Sequence, residues 1–418
     1  MTGNPAANAN FDDRETRDPA TREAELFERL RLHLATTLPR TPALREHLGA
    51  IDPNAITDRA ALARLPVLRK NALMERQQAD PPYGGFLPEG ALPPRTFVSP
   101  GPIHEPQPLG ADPYVSARAL HAAGFRPGDT IANCFGYHGT PGGFILDEGA
   151  RALGCTVYPA GPGNTDATVA ALRALAAKST VHYVGTPDFL KVLLDRIDGE
   201  DSPSTLISRA LVSGGALFPA MREAYAKRGV SVLQCLATAD VGVIAYETAS
   251  DGALHPGMVV SEDLIVEIVT PGTGDPVESG EVGEIVVTPL DTIWPLVRFA
   301  TGDMTRVLEG PLPSAHTNMR IAGWMGRADQ RTKIKGMFVD PAQVAKLRTH
   351  FPAMTRARLV VTRENDGDAM VLRYSGEAEP SEVETAMREE FALGGRAERV
   401  DNLPADGIVI EDTRTYDT

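Results

Sequence analysis

Charged side chains set beside glycine turns mark where this chain could do chemistry. The stretch VRFATGDMT places Arg298 and Asp303 around Thr301-Gly302 at the exit of an apolar strand. A carboxylate there can accept two hydroxyl hydrogen bonds from a ribose, although a TGD triplet taken alone is more often a plain turn. Farther on, GWMGRADQRTKIKGMFVDPAQV interleaves Arg327, Asp329, Lys333 and Lys335 with glycines, then opens a helix at DPAQV. The tail LPADGIVIEDTRTYDT makes an Asp-Gly turn and follows it with Ile408, and no lysine occurs after Lys346. If that turn presents a group to a reaction, its cation is missing.

The elements that must position these residues are legible in the apolar pattern. TIANCFG, CTVYPAG, VHYVGTP, ALVSGGA and SVLQCLA are short apolar runs ending in glycine or small residues, separated by helical stretches such as DATVAALRALAAK and PDFLKVLLDRI. That alternation predicts a parallel α/β sheet with its ligand crevice beyond the strand C-termini. DLIVEIVTPGTGDPVESGEVGEIVVTPL alternates around Gly-rich turns and predicts an antiparallel meander. After GRADQ, two short strands, ARLVVTREN and AMVLRYSG, and the helix SEVETAMREEFAL predict a small α+β unit. Residues 1–18 read as a disordered or loosely attached arm before a helix in TREAELFERLRLHLATTL.

Composition narrows the function classes. A chain of 418 residues suits a large domain plus a smaller one. A formal charge of −14 disfavours nucleic acid and anionic membranes as partners, and no apolar run approaches the ~20 residues of a membrane helix. The N-terminus is polar and acidic without the apolar segment of a signal peptide. Cys134, Cys155 and Cys235 are far apart and form no CxxC pair, which fits reduced thiols in a cytoplasmic protein. No GxGxxG opens a helix after an early strand, so a dinucleotide-binding dehydrogenase is set aside.

Taken in order, TGD, GRxD, KxxG and the V-x-P-x-Q helix start resemble the adenylate-forming acyl-CoA synthetase superfamily, and within it the phenylacetate-CoA ligase branch. The resemblance extends over roughly residues 15 to 418 and implies a large adenylate-forming domain, 1–328, of parallel α/β lobes plus an antiparallel β region. A small, mobile α+β domain, 329–418, would follow a hinge near Asp329. It implies ATP, Mg²⁺ and coenzyme A as cofactors and a carboxylic acid, aryl by preference, as substrate. A homodimer is the default expectation for such an enzyme.

Residue by residue, the resemblance gives VSGGALFP (Ser213, Gly214, Gly215, Ala216) to the adenine and Asp303, Arg298 and Arg327 to the nucleotide. QCLATADVG matches an aromatic-rich motif ending in the acid that holds Mg²⁺, here Asp240, with Leu236 and Ala239 in place of tyrosine and threonine. Asp240 could instead cap a helix. Tyr137, His138 and Gly139, with Leu236 and Ala237, would line the acyl pocket, His138 beside the incoming carboxylate; His138 could also cap the turn before Pro141. Asp329, Lys333, Lys335 and Gly336 would serve the hinge and the CoA-dependent step. The phosphate loop corresponds to FVSPGPIHEPQPLG, where Ser99 and Gly101 survive but Pro100, Pro102 and Pro106 remove N–H donors. One subgroup of the branch carries an SPGPIYEPEG-like loop of the same character.

The superfamily's adenylating lysine follows a glycine near the chain end in a pattern like LPNDGKVI. Aligned with LPADGIVI, its position is Ile408. The resulting expectation is an ATP-dependent aryl- or acyl-acid CoA ligase with weakened adenylation. Two alternatives stay open: an adenylate-forming enzyme with a non-CoA acceptor, and a nucleotide- or acyl-CoA-binding sensor.

Overall fold

Every apolar run singled out above becomes a strand. The computed structural model describes residues 10–99, 101–198, 206–250, 252–310, 315–328, 330, 332–364, 367–404 and 408–414. They divide into two compact units, the larger running to Thr301 and resuming over Thr305–Gly323, the smaller made of Gly302–Met304 and Trp324–Tyr416.

In the larger unit, strands Thr156–Tyr158, Thr130–Asn133, Val181–Gly185, Arg209–Val212 and Ser231–Thr238 lie parallel in that spatial order. Helices Thr165–Ala176 and Pro187–Asp198 pack their apolar faces against this sheet, Val169, Leu172, Leu190 and Leu193 sharing a core with Val181, Tyr183 and Val212. The sheet then changes direction. Strand Ser231–Thr238 turns through Ala239, Asp240 and Val241 into the antiparallel strand Gly242–Ser250, followed outward by Ala253–Val260 and Arg320–Ile321. Gly242 makes this corner possible: its φ is +92°, and a Cβ would stand 2.6 Å from the Tyr114 carbonyl oxygen. A second sheet contains the expected meander, Leu264–Val269 against Gly283–Pro289, and continues through Phe299–Thr305 to the short strand Leu68–Arg69.

Of the arm expected over residues 1–18, residues 1–9 lie outside the described residues, and residues 10–18 are firmly held. Residues 10–18 are clamped by an Arg118–Asp12 ion pair at 2.6 Å and an Arg14–Asp263 pair at 2.7 Å. Glu15, 1% exposed, accepts from the Tyr246 hydroxyl. The arm's polar composition suggested solvent, but its charges find partners far along the chain. Helix Pro19–Thr37 follows, capped by the Asp18 carboxylate and burying Leu26, Phe27, Leu30 and Leu34.

The smaller unit holds a four-stranded sheet ordered Arg396–Arg399, Gly367–Gly376, Met354–Glu364, Ile410–Asp412, with helices Pro341–His350 and Pro380–Phe391. A full capping box between Asp340 and Gln343 starts the first helix. Its core includes Ile334, Leu347, Leu359, Leu372 and Phe391. The division falls between Gly323 and Trp324, ahead of the expected 328/329 boundary. Backbone hydrogen bonds explain this, since Met304 N–H donates to Gly326, Met325 to Met304 and Ala328 to Gly302. Asp329 lies outside the described residues. Among those residues, no helix is long and apolar enough to cross a membrane.

Candidate active site

The corner where the large sheet switches from parallel to antiparallel gathers a buried cluster of ionisable groups. Asp240 sits in the tight turn itself, 4% exposed, and so is not a helix cap. Its Oδ2 accepts from Lys70 Nζ at 2.7 Å, while Oδ1 is buried without a protein partner. Lys70 begins the helix Lys70–Ala79, directly after strand Leu68–Arg69, which pairs with Phe299–Ala300; its ammonium also lies 5.7 Å from the Phe299 ring. Glu105, 2% exposed, joins the cluster from strand Ile103–Pro106. Burial and the neighbouring Asp240 push its carboxyl well above the usual carboxylate range. Thr238, which ends the preceding strand, has a buried hydroxyl without a partner.

Neither Lys70 nor Glu105 was singled out from sequence. Glu105 left one trace, a carboxylate enclosed by prolines and apolar residues in PIHEP; Lys70 left none that separates it from a surface lysine. Gln77 holds the backbone of the Glu105 strand on both sides, donating to the His104 carbonyl at 2.8 Å and accepting from its N–H at 2.9 Å.

Around this corner stand several of the residues expected from sequence. Ser213, Gly214, Gly215 and Ala216 follow strand Arg209–Val212 at its C-terminal end. Ser213 is buried and its hydroxyl donates to the Cys235 carbonyl, so it braces the adjacent strand. Leu236 and Ala237 lie on strand Ser231–Thr238 and are partly buried, packing against the apolar core; Ala239 enters the turn. Tyr137 donates its hydroxyl to Asp147 at 2.8 Å and meets Phe144 edge-on at 5.1 Å. Burial raises the Tyr137 phenol well above its ordinary value, keeping it a neutral donor. His138 and Gly139 are exposed, and the Gly139 carbonyl accepts from Val98 N–H at 2.7 Å, tying the Ser99 strand to this turn. Ser99 donates to Glu105 Oε1 at 2.7 Å, Gly101 is exposed, and Pro100 lies outside the described residues.

Arg298 requires a correction. It is 2% exposed, and its guanidinium donates to Glu267 Oε2 at 3.0 Å and to the carbonyls of Ala63, Leu65 and Gly274. It ties loops to the second sheet instead of presenting charge to a ligand. A lone arginine before a glycine turn gave no sign of this, because all four acceptors lie at least 24 residues away.

In the smaller unit, Asp303 and Arg327 form an isolated antiparallel bridge, and Arg327 Nη1 and Trp324 Nε1 both reach Asp303 Oδ1 at 3.0 Å. Gly302, at φ +79°, leaves room that the Arg327 guanidinium fills. Lys333 lies within the first strand of the hairpin Thr332–Ile334 and Met337–Val339, opposite Phe338, and Lys335 lies in its turn with Gly336, both at positive φ. Burial lowers the Lys333 ammonium pKa, whereas Lys335 and Gly336 are exposed. Ile408 is 41% exposed, and its carbonyl accepts from Arg358 Nε. Arg414, the cation that follows in sequence, is engaged by Asp368, Asp412, Thr332 and the Lys333 carbonyl. The Asp406-Gly407 turn lies outside the described residues.

No protein-family model matches the chain. It resembles curated phenylacetate-coenzyme A ligases: that of Pseudomonas putida is 29% identical over 355 residues, 81% of this chain and 78% of the relative. That of Aromatoleum evansii is 27% identical over 367 residues, 85% and 81% respectively. Among solved structures, a 2-hydroxyisobutyryl-CoA ligase in complex with 2-HIB-AMP and CoA, in the thioesterification state, matches 99% of this chain and 94% of its own. The match has a TM-score of 0.78 at 21% identity. The fold is therefore that of adenylate-forming CoA ligases.

Proposed function

We propose that the chain is an AMP-forming carboxylate-CoA ligase, with aryl acids the preferred substrate class. In the first half-reaction a carboxylate oxygen attacks the α-phosphorus of ATP, the bond to pyrophosphate breaks, and acyl-AMP forms. In the second, the CoA thiolate attacks the acyl carbon and AMP leaves. The observation that carries this reading is the buried Asp240 turn, which follows the C-terminal end of the last parallel strand, Ser231–Thr238, on the side of the sheet where open α/β folds bind ligands.

An oxygen-only donor set with an unpartnered buried carboxylate oxygen suits a hard divalent cation. Asp240 would hold Mg²⁺, which when bound neutralises phosphate charge as the two anions approach. Asp303 would receive the ribose hydroxyls, and the run Ser213 to Ala216 the adenine. Tyr137 and His138, with Leu236 and Ala237, would line the acid pocket. Lys333, Lys335 and Gly336 would act in the CoA step, with Asp329 as the pivot. Ile408 supplies no charge to the adenylation transition state, so this half-reaction would be the slow one.

A specific observation also favours a second reading, a nucleotide- or acyl-CoA-binding sensor: an apolar residue stands at the tail position where a lysine would act. A pyrophosphate-release screen over aryl and short aliphatic acids, run with the protein and with Ile408→Lys, decides between them. Acid-dependent release in either form supports the ligase. Nucleotide binding without release by both forms, over the whole panel, supports the sensor.

A further inference from the structure

We propose that Glu105 is a second carboxylate ligand for the divalent cation, so that the proline-rich loop gives this site a metal ligand in place of phosphate-binding N–H groups. The inference rests on the ligase reading for the identity of the bound nucleotide. Its geometric basis is the way the two carboxyl groups divide their oxygens. Asp240 commits Oδ2 to Lys70 and Glu105 commits Oε1 to Ser99, both at 2.7 Å. The other oxygen of each, Oδ1 and Oε2, is buried and receives no N–H or O–H donor from the rest of the protein, and the two carboxyl groups lie within hydrogen-bonding reach of each other. Both residues are at least nine-tenths buried, at 4% and 2% exposure.

Buried carboxylate oxygens are seldom left unsatisfied. Two ionised carboxylates at one corner with a single ammonium leave an excess of negative charge. A divalent cation between the open oxygens removes that conflict. One or two carboxylates plus substrate phosphates and water is the usual protein share of a Mg²⁺ site.

The loop explains why the second carboxylate is needed. Strand Thr96–Ser99 pairs with Ile103–Pro106 in antiparallel register, with Phe97 opposite Glu105. Prolines at 100, 102 and 106 cannot donate hydrogen bonds. A segment so poor in donors does little to hold phosphate oxygens directly, but it can hold them through a cation. Ser99 is then a positioning residue, since its hydroxyl orients Glu105.

The full chain is titrated with Mn²⁺, alone and with a non-hydrolysable ATP analogue, and free Mn²⁺ is read by electron paramagnetic resonance. Glu105→Gln should weaken Mn²⁺ binding about 10- to 100-fold, the range seen even for outer-shell changes. Its affinity for the analogue in chelator should stay unchanged. A second measurement needs no variant: Fe²⁺ bound in place of Mn²⁺, with ascorbate and peroxide, should cut the backbone near residues 99–105 as well as 238–241. Unchanged Mn²⁺ affinity in Glu105→Gln, or cuts confined to 238–241, overturns the assignment. Acid-dependent pyrophosphate release combined with either of those results removes Glu105 and leaves the ligase standing. Weakened Mn²⁺ binding and cuts at both segments, with no release for any acid, keep the cation site and remove the ligase.

Discussion

The corner around Asp240 and the tail around Arg414 treat charge in opposite ways. At the corner, two carboxyls and one lysine come together under burial, and each carboxyl keeps one oxygen without a protein partner. In the tail, Arg414 gives its donors to Asp412, Asp368, Thr332 and a carbonyl. Burial alone would raise the Asp412 carboxyl, but Arg414 and Thr332 hold it below the usual range. The lesson is that proximity to a reaction motif does not make a charge available. Arg298 in the large unit belongs with Arg414, since its partners are all protein groups.

If that division holds, removing a committed charge damages stability and removing a reserved one damages ligand binding. The largest effect is expected for Arg298→Met, which strands Glu267 in the core and should cost about 3–5 kcal/mol. Denaturant unfolding measures it, and nucleotide affinity of the folded fraction should not change. A loss of affinity with intact stability would put Arg298 back among the ligand-binding groups.

Next comes the tail. Ile408→Lys should speed pyrophosphate release from acid and ATP by roughly 100-fold or more, the scale of one electrostatic contact in a transition state. Conversion of supplied acyl-adenylate with CoA should stay within a few-fold, because only adenylation gains the contact. Equal acceleration of both steps would mean that residue 408 acts through folding.

Asp303→Ala should weaken ATP or AMP binding by about 1.5–3 kcal/mol, the loss expected for hydrogen bonds to a charged group. Calorimetry returning wild-type affinity would show that Asp303 serves protein groups, Arg327 and Trp324 among them.

The smallest effect is in pH. Asp412 has a lowered carboxyl pKa, so its stabilising share is present above the unfolded value near ~3.9 and disappears as pH falls through the folded one. The melting difference between wild type and Arg414→Met should therefore be constant near neutrality and shrink in acid. A difference that grows in acid would remove this ion pair from the account of the small unit's stability.

Much of the architecture was legible because the determinants are local. Apolar runs ending in glycine became the parallel strands, the alternating segment became the Leu264–Val269 and Gly283–Pro289 pair, and DPAQV became a capped helix. Motif order along the chain also brought out the likeness to the phenylacetate ligases. The site was less legible. Asp240 and the glycine run stand out in the sequence by their setting, whereas Lys70 and Glu105 do not, and nothing local to Arg298 signals its four buried acceptors.

By itself the sequence determined the strand and helix pattern and the turn positions, set by backbone sterics, capping and side-chain periodicity within a few residues, and it shows directly that no lysine follows Lys346. Only the tertiary structure decided which charges meet: Lys70 with Asp240 across 170 residues, Arg298 with Glu267 across 31, Arg118 with Asp12 across 106. The physical reason is that an ion pair depends on distance and burial after the sheets have packed. Spacing along the chain encodes neither.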